Sequence, residues 1–268
     1  MRAPFSAFKR ILVPVDFSIR SANALRYAVA LGSLKQAEID VLHVWHSDLA
    51  TQVTVARDRA KSELCDFVSG LALRGDVELR RLTDHGDACF TIQRTAQLAG
   101  YDLVVVAGPE PGADDAGSVA RRLLRSVSVP VLFVPAHCRA PLRSEHESVL
   151  HLSRILVPLA LAGAELAALD CACTLGDASA ARVEALLTSD TLQAQLEHWR
   201  ARPQAERLAA FEQAEGSELA APRRTQSAHF DLLVMSGKRA SIGERAIDVR
   251  PERVALSVLC ASLSLPEG

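Results

Sequence analysis

The chain carries one pattern written twice. KRILVPVDFS (Lys9–Ser18) returns as SRILVPLALA (Ser153–Ala162), YDLVVVAG (Tyr101–Gly108) as FDLLVMSG (Phe230–Gly237), and VPVLFVP (Val129–Pro135) as LSVLCAS (Leu256–Ser262). The order is the same in both halves. Self-similarity of this kind marks a duplicated unit. A polar stretch with Arg, His and Glu, residues 137–152, separates the copies. The expected organisation is a first domain over 1–140, a linker at 137–152 and a second, degenerate domain over 150–268.

In the first half, short β-branched runs alternate with stretches of helical apolar spacing. The pattern predicts strands at 10–15, 38–44, 76–82, 102–107 and 130–135, and helices at 19–32, 51–71, 88–99 and 118–127. Short apolar strands alternating with helices imply a parallel sheet covered on both faces. Right-handed crossovers then wind the chain to both sides of the first strand. The expected fold class is α/β: two tandem doubly wound domains, each a mostly parallel five-stranded sheet flanked by helices. In the second half, strands are expected at 154–159, 181–187, 231–236 and 257–262. Between Thr191 and His229 the pattern is helical and polar, and it places no third strand. Pro251 argues against a long final helix, because proline breaks the backbone ladder.

With 268 residues, 49% of them hydrophobic but only 4% aromatic, the chain can build an Ala/Leu/Val core without staples. A formal net charge of -2 argues against nucleic acid or an anionic membrane as general partners. The opening MRAPFSAFKR lacks the apolar core of a signal peptide, and no apolar run reaches transmembrane length. The six cysteines are scattered and lack zinc-type spacing, so the expected location is cytoplasmic.

ILVPVDFSIRSANALRYAVALGSLKQAEIDVLHVW, near the start, and YDLVVVAG…GSVARRLLRSVSVPVLFVP, in the second part of the first half, resemble the opening and the end of a universal stress protein domain. The likeness spans nearly all of the first half and persists at the ends of the second. It implies five parallel strands with four helices, and a stress-response role without catalysis. It also implies, in the members that bind it, ATP with accompanying Mg²⁺. Carried onto this chain, the resemblance makes Asp16 the carboxylate for base and ribose, with Pro14 beside it. Val44 becomes the adenine-pocket valine. Gly108, Gly112, Gly117, Ser118 and Val119 become the nearest matches to the phosphate loop Gly-x2-Gly-x9-Gly-Ser/Thr and its helix.

The loop departs from that pattern. Its glycine spacing is wrong and it is short, and Pro109 and Pro111 each remove an amide donor that a phosphate could use. Asp114 and Asp115 oppose an anion unless a metal lies between. Gly117-Ser118 keeps the form of a helix start with free amides, which equally fits plain capping. Arg121, Arg122 and Arg125 could add positive charge or form a solvated face. In the second half Ala160 stands where Asp16 stands, and Glu244-Arg245 replace Gly117-Ser118, so nucleotide binding is not expected there. His85 with Cys89 reads as a capped helix carrying a small apolar residue, and His43 with His46 lacks further ligands for zinc.

Three functions follow from these residues. The first is a non-catalytic regulatory protein with a vestigial or specialised adenine-nucleotide site in the first domain. The second is an interaction scaffold that binds no nucleotide. The third, with least support, is a weak ATP hydrolase. VPVLFVP and LSVLCAS could pair within one chain as an internal pseudo-dimer, with a homodimer through another face.

Overall fold

The computed structural model describes residues 8–34, 36–46, 53–73, 77–108, 119–126, 129–134, 150–159, 165–187, 208–213, 230–236 and 254–260. The chain divides into two compact units whose main bodies are Phe8–Ala136 and His151–Gly268.

The first unit runs β1 (Arg10–Pro14), α1 (Ile19–Ser33), β2 (Glu38–Trp45), α2 (Val53–Gly70), β3 (Leu79–His85), α3 (Ala88–Leu98), β4 (Leu103–Ala107), α4 (Val119–Ser126) and β5 (Val131–Val134). All its strand pairs are parallel, in the order β3-β2-β1-β4-β5. This is the expected α/β architecture. Ile11, Leu12, Val13, Leu103, Val104 and Val105 are fully buried, as central strands covered on both faces must be. α1 buries Ala24, Leu25, Ala28 and Leu31 on its sheet side. Gly32 closes that contact: a Cβ there would meet Ile39 Cδ1 at 3.0 Å. Most ends fall within one or two residues of expectation, but β3 is shifted by three at both ends, Leu79–His85 rather than 76–82. It is an edge strand bearing Arg80 and Arg81, so one-sided burial leaves only a weak apolar signal.

The amino ends of these strands are stitched by polar groups. Asp102 accepts from the Lys9 amide at 2.8 Å and the Arg10 amide at 3.1 Å. Buried Asp40 receives Arg80 Nε at 2.7 Å, Arg80 Nη2 at 3.0 Å and the Tyr101 hydroxyl. Burial, then the bond to Asp40, pushes the Tyr101 phenol well above its ordinary range. A carboxylate taken out of water needs such partners.

The second unit runs β6 (Arg154–Leu159), α5 (Glu165–Ser179), β7 (Arg182–Leu187), β8 (Leu208–Gln213), β9 (Phe230–Ser236) and β10 (Val254–Cys260). Its strands are parallel and ordered β8-β7-β6-β9-β10. The same stitch recurs: Asp231 accepts from the Ser153 amide at 2.7 Å and the Arg154 amide at 2.9 Å. The Asp-Leu of each copied segment therefore ties down the start of its own unit's first strand. Gly176 repeats Gly32, since a Cβ there would come within 2.9 Å of Val183 Cγ2.

β8 is the third strand that the sequence did not place. LAAFEQ pairs only with β7, and the register slips between Val183 and Glu184. Ala and Glu favour helices, so tertiary pairing overrides local preference there. Among the described residues, no helix is long and apolar enough to cross a membrane.

Candidate functional site

In the first unit the chain steps outward from β1 to β2 and β3, then returns to add β4 and β5 on the other side of β1. The reversal lies between β1 and β4. Such switch points open a crevice beyond the carboxyl ends of the strands. Asp16 follows β1 and Gly108 follows β4. Ile11 pairs with Leu103 and Leu12 with Val104, so β1 and β4 run side by side in parallel and the chain leaves both at the same end of the sheet. Pro14 pairs with Leu42, so the end of β2 with Val44 adjoins the same rim. Val119 is the first described residue of α4 and is 36% exposed. Gly112, Gly117 and Ser118 lie outside the described residues. The Gly108 amide donates to the Val134 carbonyl at 2.7 Å, so it is committed to β5 and is not a spare phosphate donor.

Asp16 is shaped by the two residues after it. Its Oδ1 accepts from the Ser18 amide at 3.1 Å and the Ser18 hydroxyl at 2.5 Å. Ser18 is in turn the N-cap of α1, its Oγ accepting from the Ser21 amide at 3.1 Å. Partial burial pushes the Asp16 carboxyl upward, but bonds from Ser18 and Ser21 outweigh it and hold the group below its ordinary value. The carboxylate is therefore ionised and exposed on the rim.

Phe17, between them, has φ of 62°, the left-handed region. That conformation costs an ordinary residue about 1–2 kcal/mol. It lets the chain leave a strand and enter a helix within two residues. Its ring stacks on His43, with centroids 4.1 Å apart and planes 27° apart, and leans on Phe67 at 5.4 Å. His43 Nδ1 lies 3.0 Å from the Val15 carbonyl. A carbonyl only accepts, so Nδ1 carries the proton.

Arg122 is not a free phosphate cation. Its Nη1 and Nη2 each donate to Asp87 at 3.0 Å, a bidentate pair. Asp87 also caps α3, accepting from the Phe90 amide at 2.8 Å. Arg122 first, then the Phe90 amide, hold the Asp87 carboxyl below its ordinary value. The side chains of Arg121 and Arg125 lie outside the described residues.

The capped helix expected after His85 is thus α3, and Cys89 is buried in it. Cys171 and Cys173 are buried in α5, where burial pushes the Cys173 thiol up to about 12. His46 and His85 rings lie parallel at 6.2 Å. Among the described residues, no group of three or more His, Cys, Asp or Glu could hold a metal.

Residues 7–135 match the model of the universal stress protein family. Over these residues the chain belongs to that family. A curated relative, universal stress protein A from Photorhabdus laumondii, is 28% identical over 137 residues, covering 48% of this chain and 96% of that protein. In overall fold the chain resembles the crystal structure of a universal stress protein from Archaeoglobus fulgidus, with a TM-score of 0.69 at 17% identity, over 96% of this chain and 97% of that one. A putative universal stress protein from Pseudomonas aeruginosa gives a TM-score of 0.60 at 17% identity, over 95% and 94%. The family match covers the half that carries Asp16, and the likeness in fold extends over both.

The residues that the resemblance singled out, Pro14, Asp16, Val44 and Gly108, lie at or just after the ends of β1, β2 and β4. Sequence reasoning missed Phe17 and weighed His43 only as a metal ligand. Strand alternation was the available signal for His43: in LHV, His43 and Val44 must point to opposite faces.

Proposed function

We propose that the universal stress protein domain is a non-catalytic binding module for one adenine nucleotide. The observation that carries this reading is the Asp16 carboxylate, ionised and exposed just after β1, at the strand ends where the sheet order reverses. Ser18 donates to Oδ1, and the exposed carboxylate has lone pairs to accept from ribose hydroxyls. Pro14 and Val44 supply apolar surface at the adjoining strand ends. These residues suit the base and ribose. The triphosphate and its Mg²⁺ would fall to residues 109–118, with Ser118 and the amides before α4 as donors. Nucleotide would then act by stabilising one state of the protein for a partner, a regulatory role in keeping with the family's name.

The second half is proposed to be a duplicated scaffold that has kept the stitch and dropped the site. Asp231 repeats Asp102 and Gly176 repeats Gly32, whereas Ala160 replaces Asp16. A scaffold without nucleotide in either half is the second reading. It is favoured by the commitment of Arg122 to Asp87 and of the Gly108 amide to β5.

Thermal melts with MgATP separate the two. A ligand at 100 times its Kd stabilises by about 2.7 kcal/mol. The binding reading expects a rise in Tm with millimolar MgATP that Asp16→Ala abolishes. No rise in the unaltered protein would leave the scaffold reading.

A further inference from the structure

His43 touches the chain on both sides of Asp16 and does not touch Asp16 itself. Its Nδ1–H holds the Val15 carbonyl at 3.0 Å, and its ring lies against Phe17 at 4.1 Å between centroids. Val15 and Phe17 are the immediate neighbours of Asp16. Val15 is independently fixed to β2, its amide donating to the Leu42 carbonyl at 2.9 Å. Among the described residues Phe17 has no such backbone bond, and it sits at a φ of 62°. Something must hold it there, and the described ring contacts are with His43 and Phe67. The Ser18 amide and hydroxyl, one residue further on, then reach back to Oδ1. The aim of the carboxylate thus follows from the turn, and the turn is gripped from β2.

We infer that His43 is the positioning residue of the Asp16 site: one imidazole clamps the carbonyl before the aspartate and the aromatic ring after it. The clamp combines two contacts of different chemistry. The hydrogen bond fixes where β1 ends. The stack fixes the left-handed residue, and with it the direction in which the carboxylate leaves the strand. Without the clamp, Phe17 can relax toward an ordinary conformation, which swings Ser18 away from Oδ1. The geometric claim stands without a ligand. Only its consequence for nucleotide rests on the binding role proposed above.

The test is a carboxyl-carbon NMR titration of Asp16 in the full chain, in three forms besides the unaltered protein. His43→Ala removes both contacts, His43→Asn keeps an N–H near the Nδ1 position, and His43→Phe keeps a stacking ring. A thermal melt of each reports folding. The expected result is an Asp16 midpoint that rises in His43→Ala, because the Ser18 bonds that lower it are lost, with partial return in His43→Asn and His43→Phe. MgATP affinity should fall in parallel, roughly tenfold or more in His43→Ala. An Asp16 midpoint unchanged in a folded His43→Ala variant overturns the inference. So does a midpoint that rises equally in all three, which would assign the effect to general loosening. Failure of the unaltered protein to bind MgATP would remove the nucleotide role alone, and the titration would still decide the clamp.

Discussion

Asp16 is held by its neighbours, and the contacts that hold it are a source of stability whatever binds there. Ser18 serves two partners at once, capping α1 and donating to Oδ1. Ser18→Ala should cost about 1 kcal/mol, the usual value of an N-cap, read as a lower urea midpoint at unchanged slope. Asp16 and Asp87 both titrate below their ordinary values in the folded chain. A depressed carboxylate contributes stability that is complete above its unfolded pKa, near about 4, and lost as pH falls through the folded value. The melting temperature should therefore drop in acid, and less steeply in an Asp16→Asn/Asp87→Asn double variant. Equal slopes in the two proteins would contradict this. Asp16 was singled out in the sequence by the resemblance, which matches it to the family's strand-one aspartate. The left-handed Phe17 was not, since nothing in a bulky aromatic residue announces a positive φ. The pairing of Arg122 with Asp87 joins residues 35 apart, beyond the reach of local pattern.

Each element is legible to the extent that its own residues decide its form. β1, β2, β4, β6 and β7 are apolar runs buried in their sheets, and their positions were predicted within one or two residues. β3 and β8 lie at the edges of their units' sheets and were misplaced or missed, and β10 (Val254–Cys260) begins three residues before the expected 257–262. Gly32 and Gly176 show a constraint that helix periodicity hides. Each occupies the face of its helix that touches the following strand, Gly32 against Ile39 and Gly176 against Val183. Alanine in an exposed helix interior would gain about 1 kcal/mol over glycine. At Gly176 the new methyl would instead lie 2.9 Å from a stiff valine and 3.1 Å from the Ala181 carbonyl. Overpacking of that kind costs about 1–3 kcal/mol, so Gly176→Ala should lower the melting temperature. A higher one would mean that β7 can move aside freely.

At the scale of the whole molecule, the two halves share a scaffold and differ in their rims. The parallel order of five strands, the aspartate stitch and the close helix–strand glycine occur in both. In the sequence, Ala160 aligns with the rim aspartate Asp16; Ala160 lies outside the described residues. The proposed reading of the second half as a scaffold without the site fits this pattern, because packing and stitching stabilise a fold whatever binds at its rim. It makes the account quantitative: one nucleotide per chain, dependent on one carboxylate. Isothermal titration calorimetry of the full chain with MgATP measures both. The account predicts a single site per chain that is weakened strongly by Asp16→Ala. Two equivalent sites, or a single site whose affinity Asp16→Ala leaves unchanged, would contradict it.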